Sequence, residues 1–460
     1  MPVKLFLFEK NMATLNAALA KRADELGQEW LKLANLIEKY AHESFVPGDE
    51  YGFNNPSDMK EIDGKRLFEA DDRPDLGFGV PLVLPDRETA RNLLEVLEPV
   101  RSSEGGQIIS CELTPMTAEL APEGQHWCAG RGQGYSFGNR AAARRLIGAD
   151  RLKAKGLRGK GVHVFVVDQG LNQSYIERLG GNFATGVPWE TDNKVKVPGE
   201  EKAPYLPVER GHGGMLVRSL IDLAPESKIY DFPLIPRRIT GSDFFGLNAT
   251  YAFWIIRLLC DTLAGPWVIL NAWGLVDRFA ETVRGGYSNN RNHWLNILIA
   301  SIGTRHDVIF AAGNNGQFCG DPRATGYDLG PGRSIFGANG LPEVYSAGAV
   351  RTDGTWVGAA SQGPGPSGFA VSTGIPVQKP DLAAPSWFNE DRDAALRSGG
   401  TSSAAAVLAG VVAALRSHPE LGSMTPAALR QHLRGNSRPT NGPGWSRRTG
   451  TGIVNLTDVL

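Results

Sequence analysis

A glycine pair followed by hydroxyl residues and alanines, SGGTSSAAA at residues 398–406, constrains the fold of this chain more than any other segment. The glycines allow a sharp turn and a close approach of another molecule, and the alanines favour a buried helix. Ser402 then lies in the first turn of that helix, where unpaired N–H groups and the helix dipole face any negative charge that develops. The segment therefore predicts either a catalytic nucleophile held at the start of a helix or an ordinary capped helix N-terminus.

The length and net charge of the chain limit the number of domains and the classes of partner that it could have. The chain has 460 residues, 42% of them hydrophobic, which is enough for one large core and a second, smaller domain. Forty-eight basic and 49 acidic residues give a formal net charge of −1, so no overall field attracts nucleic acid or an acidic membrane surface. We expect neither a nucleic-acid partner nor a membrane partner.

Targeting and cysteine patterns give little sign of export, membrane insertion or metal binding. The apolar run within Met1–Glu9 is shorter than a signal-peptide core, and the run from Ala404 to Leu415 is too short to span a bilayer. The four cysteines lie far apart without a Cys-x-x-Cys pair, and no acidic loop is typical of a calcium site. We expect a cytoplasmic protein with reduced thiols, no cofactor and no metal.

The first 145 residues predict a separate α+β domain. Apolar residues at helical spacing indicate a long amphipathic helix from Met12 to His42, which either packs on its own domain or docks a partner protein. A linker at 43–76 precedes a small β-α-β unit, with strands at 78–84 and 107–113 around a helix at 87–98. The domain boundary is predicted at residue 145, after a glycine-rich stretch and a basic patch.

Residues 146–460 predict a parallel sheet covered by helices. Short β-branched segments alternate with helical ones, and they lie at 162–167, 228–232, 267–271, 308–312 and 344–349. This alternation is typical of an α/β domain with helices on both faces of the sheet. Ligands of such domains bind at the carboxyl ends of the strands.

Three polar residues follow predicted strands or begin helices at that edge. Asp168 ends a strand and either faces the site or caps an Asp-x-Gly turn, and Asn314 lies in a Gly-Asn-Asn-Gly loop with the same two interpretations. His212 lies between glycines at the start of a helix, which predicts an imidazole exposed to a cleft.

In their chain order, Asp168, His212, Asn314 and Ser402 resemble the subtilisin-like serine protease family. The resemblance covers roughly residues 145–460. Further segments similar to family motifs are GKGV at 159–162, NAWG at 271–274, KPDLAAP at 379–385, TPAALR at 425–430 and GIVN at 452–455.

The resemblance implies a three-layer subtilisin-like domain and a serine endopeptidase. Ser402 would attack a peptide carbonyl, His212 would transfer the proton, and Asp168 would hold the imidazole. Asn314 would bind the oxyanion, and the substrate, a protein or peptide, would lie along Ala272, Trp273 and Gly274. Ser403 is a rival nucleophile that the helix should turn away from the histidine.

This chain departs from the family pattern at several positions. Gln169 replaces a small hydroxyl residue after the aspartate, Gly214 replaces a threonine near the histidine, and residues 403–406 lack the usual Met-Ala-Thr-Pro. Arg218 stands on the histidine helix where a small residue is usual. No proton-transfer group is lost, so the departures concern geometry rather than chemistry.

Three questions stay open at the level of sequence. Residues 1–145 are either a propeptide, processed at Arg144-Arg145 or in the glycine-rich stretch before it, or a lasting regulatory and autoinhibitory domain. The protease fold is either active or a silent scaffold. An active enzyme is either a general endopeptidase, a dedicated processing enzyme for one partner protein, or an esterase.

Overall fold

The computed structural model describes thirteen segments of the chain. They are residues 3–9, 78–84, 109–112, 138–191, 194–201, 211–235, 245–278, 286–318, 320–321, 324–370, 375–390, 393–440 and 442–460. The predicted helices at 12–42 and 87–98 lie outside the described residues.

The strands of these segments, in chain order, are β1 Val3–Glu9, β2 Phe78–Leu84, β3 Ile109–Glu112, β4 His163–Val167, β5 Asn182–Gly186, β6 Trp189–Thr191, β7 Lys194–Lys196, β8 Lys228–Phe232, β9 Trp267–Asn271, β10 Asp307–Ala311, β11 Tyr345–Val350, β12 Leu382–Pro385, β13 Phe388–Glu390 and β14 Asp393–Ser398. The α-helices are α1 Arg140–Ile147, α2 Asp150–Ala154, α3 Gln173–Arg178, α4 His212–Leu223, α5 Phe245–Thr262, α6 Trp294–Gly303, α7 Gly400–Arg416, α8 Pro419–Ser423, α9 Pro426–Gly435 and α10 Leu456–Val459.

The chain divides into two compact units, the first comprising Met1–Pro115 and Asp243–Leu263. This unit contains a three-stranded antiparallel sheet in the order β2-β1-β3 and helix α5. Strand β1 pairs over its full length with β2, from Val3 opposite Leu84 to Glu9 opposite Phe78. Strand β2 has the predicted bounds and β3 lies within its predicted range, whereas the sequence analysis did not predict β1.

The second unit, Met116–Ser242 and Ala264–Leu460, is built on a seven-stranded sheet. Its strand order is β12-β11-β10-β9-β4-β8-β5, and every neighbouring pair is parallel. The predicted parallel-sheet α/β fold is therefore confirmed. Helix α1 of this unit spans the boundary predicted at residue 145, which itself stays a prediction.

Helices α4 and α7 lie in one core on the sheet because their small residues permit a close approach. Every residue of α7 is buried, and alternate sheet residues such as Val164 and Val166 belong to the same apolar cluster. A Cβ atom added at Gly410 would lie 3.0 Å from the Cβ atom of Leu223. The backbone of α7 at Gly410 therefore packs closely against the Leu223 side chain of α4. The two helices that begin at His212 and Gly400 are thus held together by the core.

The strand residues that alternate in sequence with the members of this cluster, such as Phe165 between Val164 and Val166, form an aromatic layer. Phe165 lies 5.1 Å from Trp267 and 5.2 Å from Tyr230, measured between ring centroids. All three rings are fully buried or nearly so. Alternation along β4 therefore gives this strand two apolar faces, as expected of a central parallel strand. No helix in the described ranges is long and apolar enough to cross a membrane.

Candidate active site

The carboxyl ends of the sheet strands and the starts of α4 and α7 bring the predicted residues into one region. Asp168 directly follows β4, and its backbone N–H donates to the Phe232 carbonyl of the neighbouring strand at 3.1 Å. His212 is the first residue of α4, and Ser402 lies in the first turn of α7. Asn314 follows β10 by three residues. Four separate elements thus contribute to the site.

Asp168 and His212 form a direct pair. His212 Nδ1 lies 2.9 Å from each carboxylate oxygen of Asp168. Asp168 is fully buried and His212 is only 5% exposed, so the pair is shielded from water. Low solvation strengthens such a hydrogen bond, and the geometry fixes which ring nitrogen faces the carboxylate.

Gly213, the residue after His212, allows close packing of α4 and does not expose the His212 imidazole to solvent. A Cβ atom at Gly213 would lie 2.3 Å from the carbonyl oxygen of Gly170 and 3.0 Å from a methyl of Leu171. Glycine therefore lets α4 begin directly against the loop that follows Asp168. The expectation that flanking glycines expose the ring differs from the structure, in which the imidazole is buried.

Ser402 lies at the edge of a pocket, whereas its neighbour Ser403 does not line that pocket. The Oγ atom of Ser402 donates to the carbonyl oxygen of Ala272 at 3.2 Å. Ser403 is fully buried within α7, and its Oγ atom has no hydrogen-bond partner. Gly400 has a φ of 70°, a left-handed conformation that favours glycine just before the nucleophile position.

Thr401 orients the amide of Asn314. The Oδ1 atom of Asn314 accepts hydrogen bonds from the Thr401 N–H at 3.0 Å and from the Thr401 hydroxyl at 3.1 Å. The Thr401 Oγ1 atom also accepts from the N–H of Gly313 at 3.1 Å. Because Oδ1 is engaged on this side, the Nδ2 group of Asn314 is the part of the amide that can donate to a ligand.

The segment Ala272-Trp273-Gly274 lines the same pocket as Asn314 and Ser402. Asn339 donates through Nδ2 to the Trp273 carbonyl at 3.1 Å, and a Cβ atom at Gly274 would lie 2.8 Å from that nitrogen. The absence of a side chain at Gly274 therefore leaves room for the amide of Asn339 against this segment. Trp273 itself is buried.

Arg218, the least expected residue of α4, is part of a buried ionic cluster. Its Nε atom donates to Glu390 Oε1 at 3.1 Å, and its Nη1 atom donates to the Tyr175 hydroxyl at 3.3 Å. Glu390 also accepts from Arg140 at 2.5 and 2.8 Å and from the Ser398 hydroxyl at 2.6 Å. The cluster therefore links α1, α4 and the β13–β14 hairpin that leads to Ser402.

Sequence reasoning missed three residues of this region. Thr401 and Glu390 act through side-chain contacts between distant segments, and Asp321 reaches the pocket from a loop. Only Thr401 had a visible signal, a hydroxyl residue between the glycine pair and Ser402. Within the described segments, no group of three or more His, Cys, Asp or Glu side chains could hold a metal ion.

A parallel sheet with Asp, His and Ser residues contributed by separate elements at its carboxyl edge is an arrangement found in hydrolases of the serine protease class. The sequence model of the subtilase family matches residues 159–452, more than half of the chain, and the protein belongs to that family. It is therefore a subtilase-family serine protease. No curated protein matches the chain.

Solved structures with a similar fold are distant in sequence. Fervidolysin from Fervidobacterium pennivorans, described as a keratinolytic enzyme related to subtilisin, has a TM-score of 0.53 at 14% identity, covering 100% of this chain and 61% of that one. MycP1 from Mycobacterium smegmatis has a TM-score of 0.47 at 15% identity, covering 75% and 90%. The prenylagaramide maturation protease PagA has a TM-score of 0.46 at 18% identity, covering 68% and 97%.

Proposed function

We propose that this protein is a serine endopeptidase whose catalytic triad is Asp168, His212 and Ser402. The proposal rests on two observations: the buried pair of Asp168 and His212 at the start of α4, and the Ser402 hydroxyl, which lines a pocket at the start of the adjacent helix α7. The two glycines before the hydroxyl and the helix that follows it supply the backbone that such a nucleophile needs.

The proton route follows from the orientation of His212. Its Nδ1 atom faces Asp168, so Nε2 is the nitrogen available to take the proton of Ser402. In the present conformation the serine hydroxyl donates to the Ala272 carbonyl, and rotation about the Cα–Cβ bond would redirect it to Nε2. Such hydrogen bonds often tighten only when substrate binds. Asp168 would hold the tautomer and stabilise the imidazolium.

Acyl transfer would then proceed through a tetrahedral intermediate. The Ser402 oxygen bonds to the peptide carbonyl carbon, and the carbonyl oxygen becomes an oxyanion facing Asn314 Nδ2 and the start of α7. His212 returns its proton to the leaving amine, and water repeats the sequence to release the acyl group. The segment 272–274 would hold the substrate backbone.

The proposal includes regulation by the N-terminal part of the chain and a cytoplasmic location. The family match begins at residue 159, which leaves residues 1–158 available for a role outside catalysis. The four cysteines lie far apart in the sequence, in keeping with a reducing compartment.

The deciding experiment is labelling with a fluorophosphonate, which reacts with activated serines. We expect one adduct on the wild type and none on Ser402→Ala, with Ser403→Ala as the matched control that keeps full labelling. His212→Ala should lower the labelling rate steeply, since removal of the base costs about 10⁶-fold in kcat in subtilisin itself. Labelling of Ser402→Ala would assign the reactive hydroxyl to another residue and contradict the proposed triad. No labelling of the wild type would also contradict the proposal and would favour a silent scaffold.

A further inference from the structure

The link between β12 and β13 contains a strained backbone. Among the described residues, Trp387 is the only one other than glycine with a positive φ, which is 55°. This left-handed conformation is unfavourable for a bulky residue, and it persists only where the surrounding structure enforces it. The link consists of Ser386 and Trp387, and both residues are buried. The contacts of these two residues therefore hold the link in a conformation that it would not adopt alone.

Ser386 joins the end of β11 to the start of α7. Its backbone N–H donates to the carbonyl of Val350, the last residue of β11, at 2.8 Å. Its hydroxyl donates to the carbonyl of Gly400, the first residue of α7, at 2.7 Å. Ser386 is fully buried, so water does not compete for this hydrogen bond. The hydroxyl thus ties the link to the turn that precedes Ser402.

The peptide group between Gly400 and Thr401 is held at both of its ends. Its carbonyl accepts from Ser386, and its N–H donates to Asn314 Oδ1 at 3.0 Å. Because a peptide group is planar, fixing its oxygen and its nitrogen fixes the orientation of the whole plane. The next peptide group along the chain supplies the N–H of Ser402. Ser386 therefore contributes to the orientation of the nucleophile residue without touching it.

Gly399, the residue before this peptide group, lies between two apolar side chains. Its N–H donates to the Sδ atom of Met215, on α4, at 3.3 Å. A Cβ atom at Gly399 would lie between 3.8 and 4.0 Å from three atoms of the Trp387 indole. Neighbouring residues of the link thus lie against neighbouring residues of the turn, Trp387 against Gly399 and Ser386 against Gly400.

We propose that Ser386 is a positioning residue for Ser402 and that the strained backbone of Trp387 holds the Ser386 hydroxyl against the Gly400 carbonyl. The inference rests on the proposed protease function. Ser386 does not line the pocket beside Ser402, so it acts through the peptide group and not on the substrate. Without the hydroxyl, this peptide group can tilt about its remaining hydrogen bond to Asn314. A tilt displaces the Oγ and the N–H of Ser402 from the geometry of acylation.

The test labels the full chain with the fluorophosphonate, which has no peptide side chains and therefore reports on the nucleophile and the oxyanion site. Intact-mass analysis gives the second-order rate constant of labelling. Ser386→Ala removes the hydroxyl, and Ser386→Cys keeps a side chain of nearly the same size with a weaker donor.

Ser227→Ala is the matched control. Ser227 is also fully buried, and its hydroxyl also donates to a backbone carbonyl at 2.7 Å, that of Ala224. It directly precedes β8, so it lies at the amino edge of the sheet, opposite the candidate site. The control variant therefore loses the same kind of hydrogen bond at a distance from Ser402.

We expect Ser386→Ala to be labelled at least about 10-fold more slowly than the wild type, with Ser386→Cys between the two. Ser227→Ala should keep the wild-type rate, although both alanine variants should lower the urea midpoint of unfolding to a similar extent. The pH midpoint of labelling reports the titration of the catalytic base. It should stay unchanged in Ser386→Ala while the plateau falls, because the Ser386 hydroxyl binds Gly400 and not the pair of Asp168 and His212.

The outcomes separate this inference from the proposed function. Equal labelling rates for Ser386→Ala and Ser227→Ala overturn the positioning role, and so does a slower rate with a shifted pH midpoint, which indicates a general change in the site. Labelling of Ser386→Cys at the wild-type rate overturns it as well, and this variant carries the test where Ser386→Ala does not fold. Failure of the wild type to be labelled overturns the protease function itself and the inference with it.

Discussion

At the scale of single residues, Thr401 is the side chain on which the proposed oxyanion site depends most. Its hydroxyl donates to Asn314 Oδ1 and accepts from Gly313, so one group joins the loop after β10 to the nucleophile helix. Without it, the amide of Asn314 could rotate and present its oxygen to the cleft. An oxygen there would repel an oxyanion rather than bind it.

We therefore predict that Thr401→Val lowers kcat by between about 10- and 100-fold, the range expected when a catalytic group loses its orientation. KM should change little, because the threonine contacts Asn314 rather than the substrate-binding segment. Steady-state kinetics on a peptide substrate measures both constants. Ser403→Ala is the control, since it removes a buried hydroxyl that has no hydrogen-bond partner. Equal losses in both variants would contradict the assigned role.

The sequence analysis named the candidate residues Asp168, His212, Asn314 and Ser402 because each stands in a local pattern of glycines, strand ends and helix starts. The structure gathers these four residues in one region, though their catalytic roles stay a prediction. The orientation of Asn314 could not be predicted, since it depends on a contact between residues 87 positions apart. Local patterns indicate which groups are present, and long-range contacts decide which way they face.

At the scale of elements, the cluster around Glu390 sets how α1, α4 and the β13–β14 hairpin meet. Burial alone would raise the pKa of Glu390, but hydrogen bonds from Arg140 and the charges of Arg140 and Arg218 outweigh it and lower the pKa. The ionised form is therefore stabilised in the folded state. This contribution to stability is present above the unfolded pKa of about 4.3 and is lost as pH falls through the folded value.

We predict that Glu390→Gln lowers the free energy of unfolding by about 3 kcal/mol or more, because it leaves the buried guanidinium of Arg218 and the largely buried one of Arg140 facing a neutral amide. The rate of serine labelling by fluorophosphonate should also fall in the folded fraction, since the cluster joins the elements that carry His212 and Ser402. Denaturant titration and labelling kinetics measure the two effects.

The matched control is Glu226→Gln, which breaks the half-exposed pair between Arg158 and Glu226. Exposed pairs contribute about 0–1 kcal/mol, so this variant should behave like the wild type in both assays. A stability loss at Glu390 without any change in the labelling rate would limit the cluster to a structural role.

The loop that follows Asp168 depends on a second buried acid. Asp231, at the end of β8, accepts hydrogen bonds from Leu171 N–H at 3.0 Å and from Gly199 N–H at 2.9 Å. Burial raises the pKa of Asp231 to about 7, although these two bonds and the charge of Lys196 lower it, while Glu201 raises it further. Its folded pKa therefore lies well above the unfolded value of about 3.9.

Because the folded state holds this proton more tightly, the contribution of Asp231 to stability is complete below pH 4 and is lost as pH rises towards about 7. We predict that Asp231→Asn removes this part of the pH dependence and raises the melting temperature relative to wild type at pH 8. Thermal unfolding between pH 4.5 and pH 8 tests it. Parallel curves for the two proteins would contradict the assignment.

The buried strands of the large sheet were predicted from the sequence more accurately than its exposed edge strand. Strands β4, β8, β9, β10 and β11 are short and almost wholly buried, and all were predicted to within two residues. Strand β5, Asn182–Gly186, was missed because it is a partly exposed edge strand without an apolar run. Strand β1 was missed because an isolated apolar segment has no sequence mark that identifies its pairing partners.

At the scale of the whole molecule, the contacts of helix α1 bear on where the chain could be processed. The Gly138 carbonyl accepts a hydrogen bond from Asn389 N–H at 3.0 Å, and Arg140 binds Glu390. Arg144 binds Asp222 at 2.8 Å and Asp150 at 3.0 Å. A cut at Arg144-Arg145, one of the two regions considered from the sequence, would separate Arg140 from the chain and leave Glu390 with Arg218 and Ser398 only.

We therefore predict that any activating cut leaves a new N-terminus at or before Gly138, within the glycine-rich stretch rather than the basic pair. Wild type and Ser402→Ala would be incubated side by side, and N-terminal sequencing with intact-mass analysis would locate the cut and show whether it requires the enzyme's own serine. Fluorophosphonate labelling of each product then tells which species is active. An active product beginning at Arg145 or Leu146 would contradict the prediction, because it would show that Arg140 is dispensable for holding α4 against the hairpin that leads to Ser402. A labelled chain that stays intact would instead assign residues 1–137 to the working enzyme and make them a lasting regulatory region.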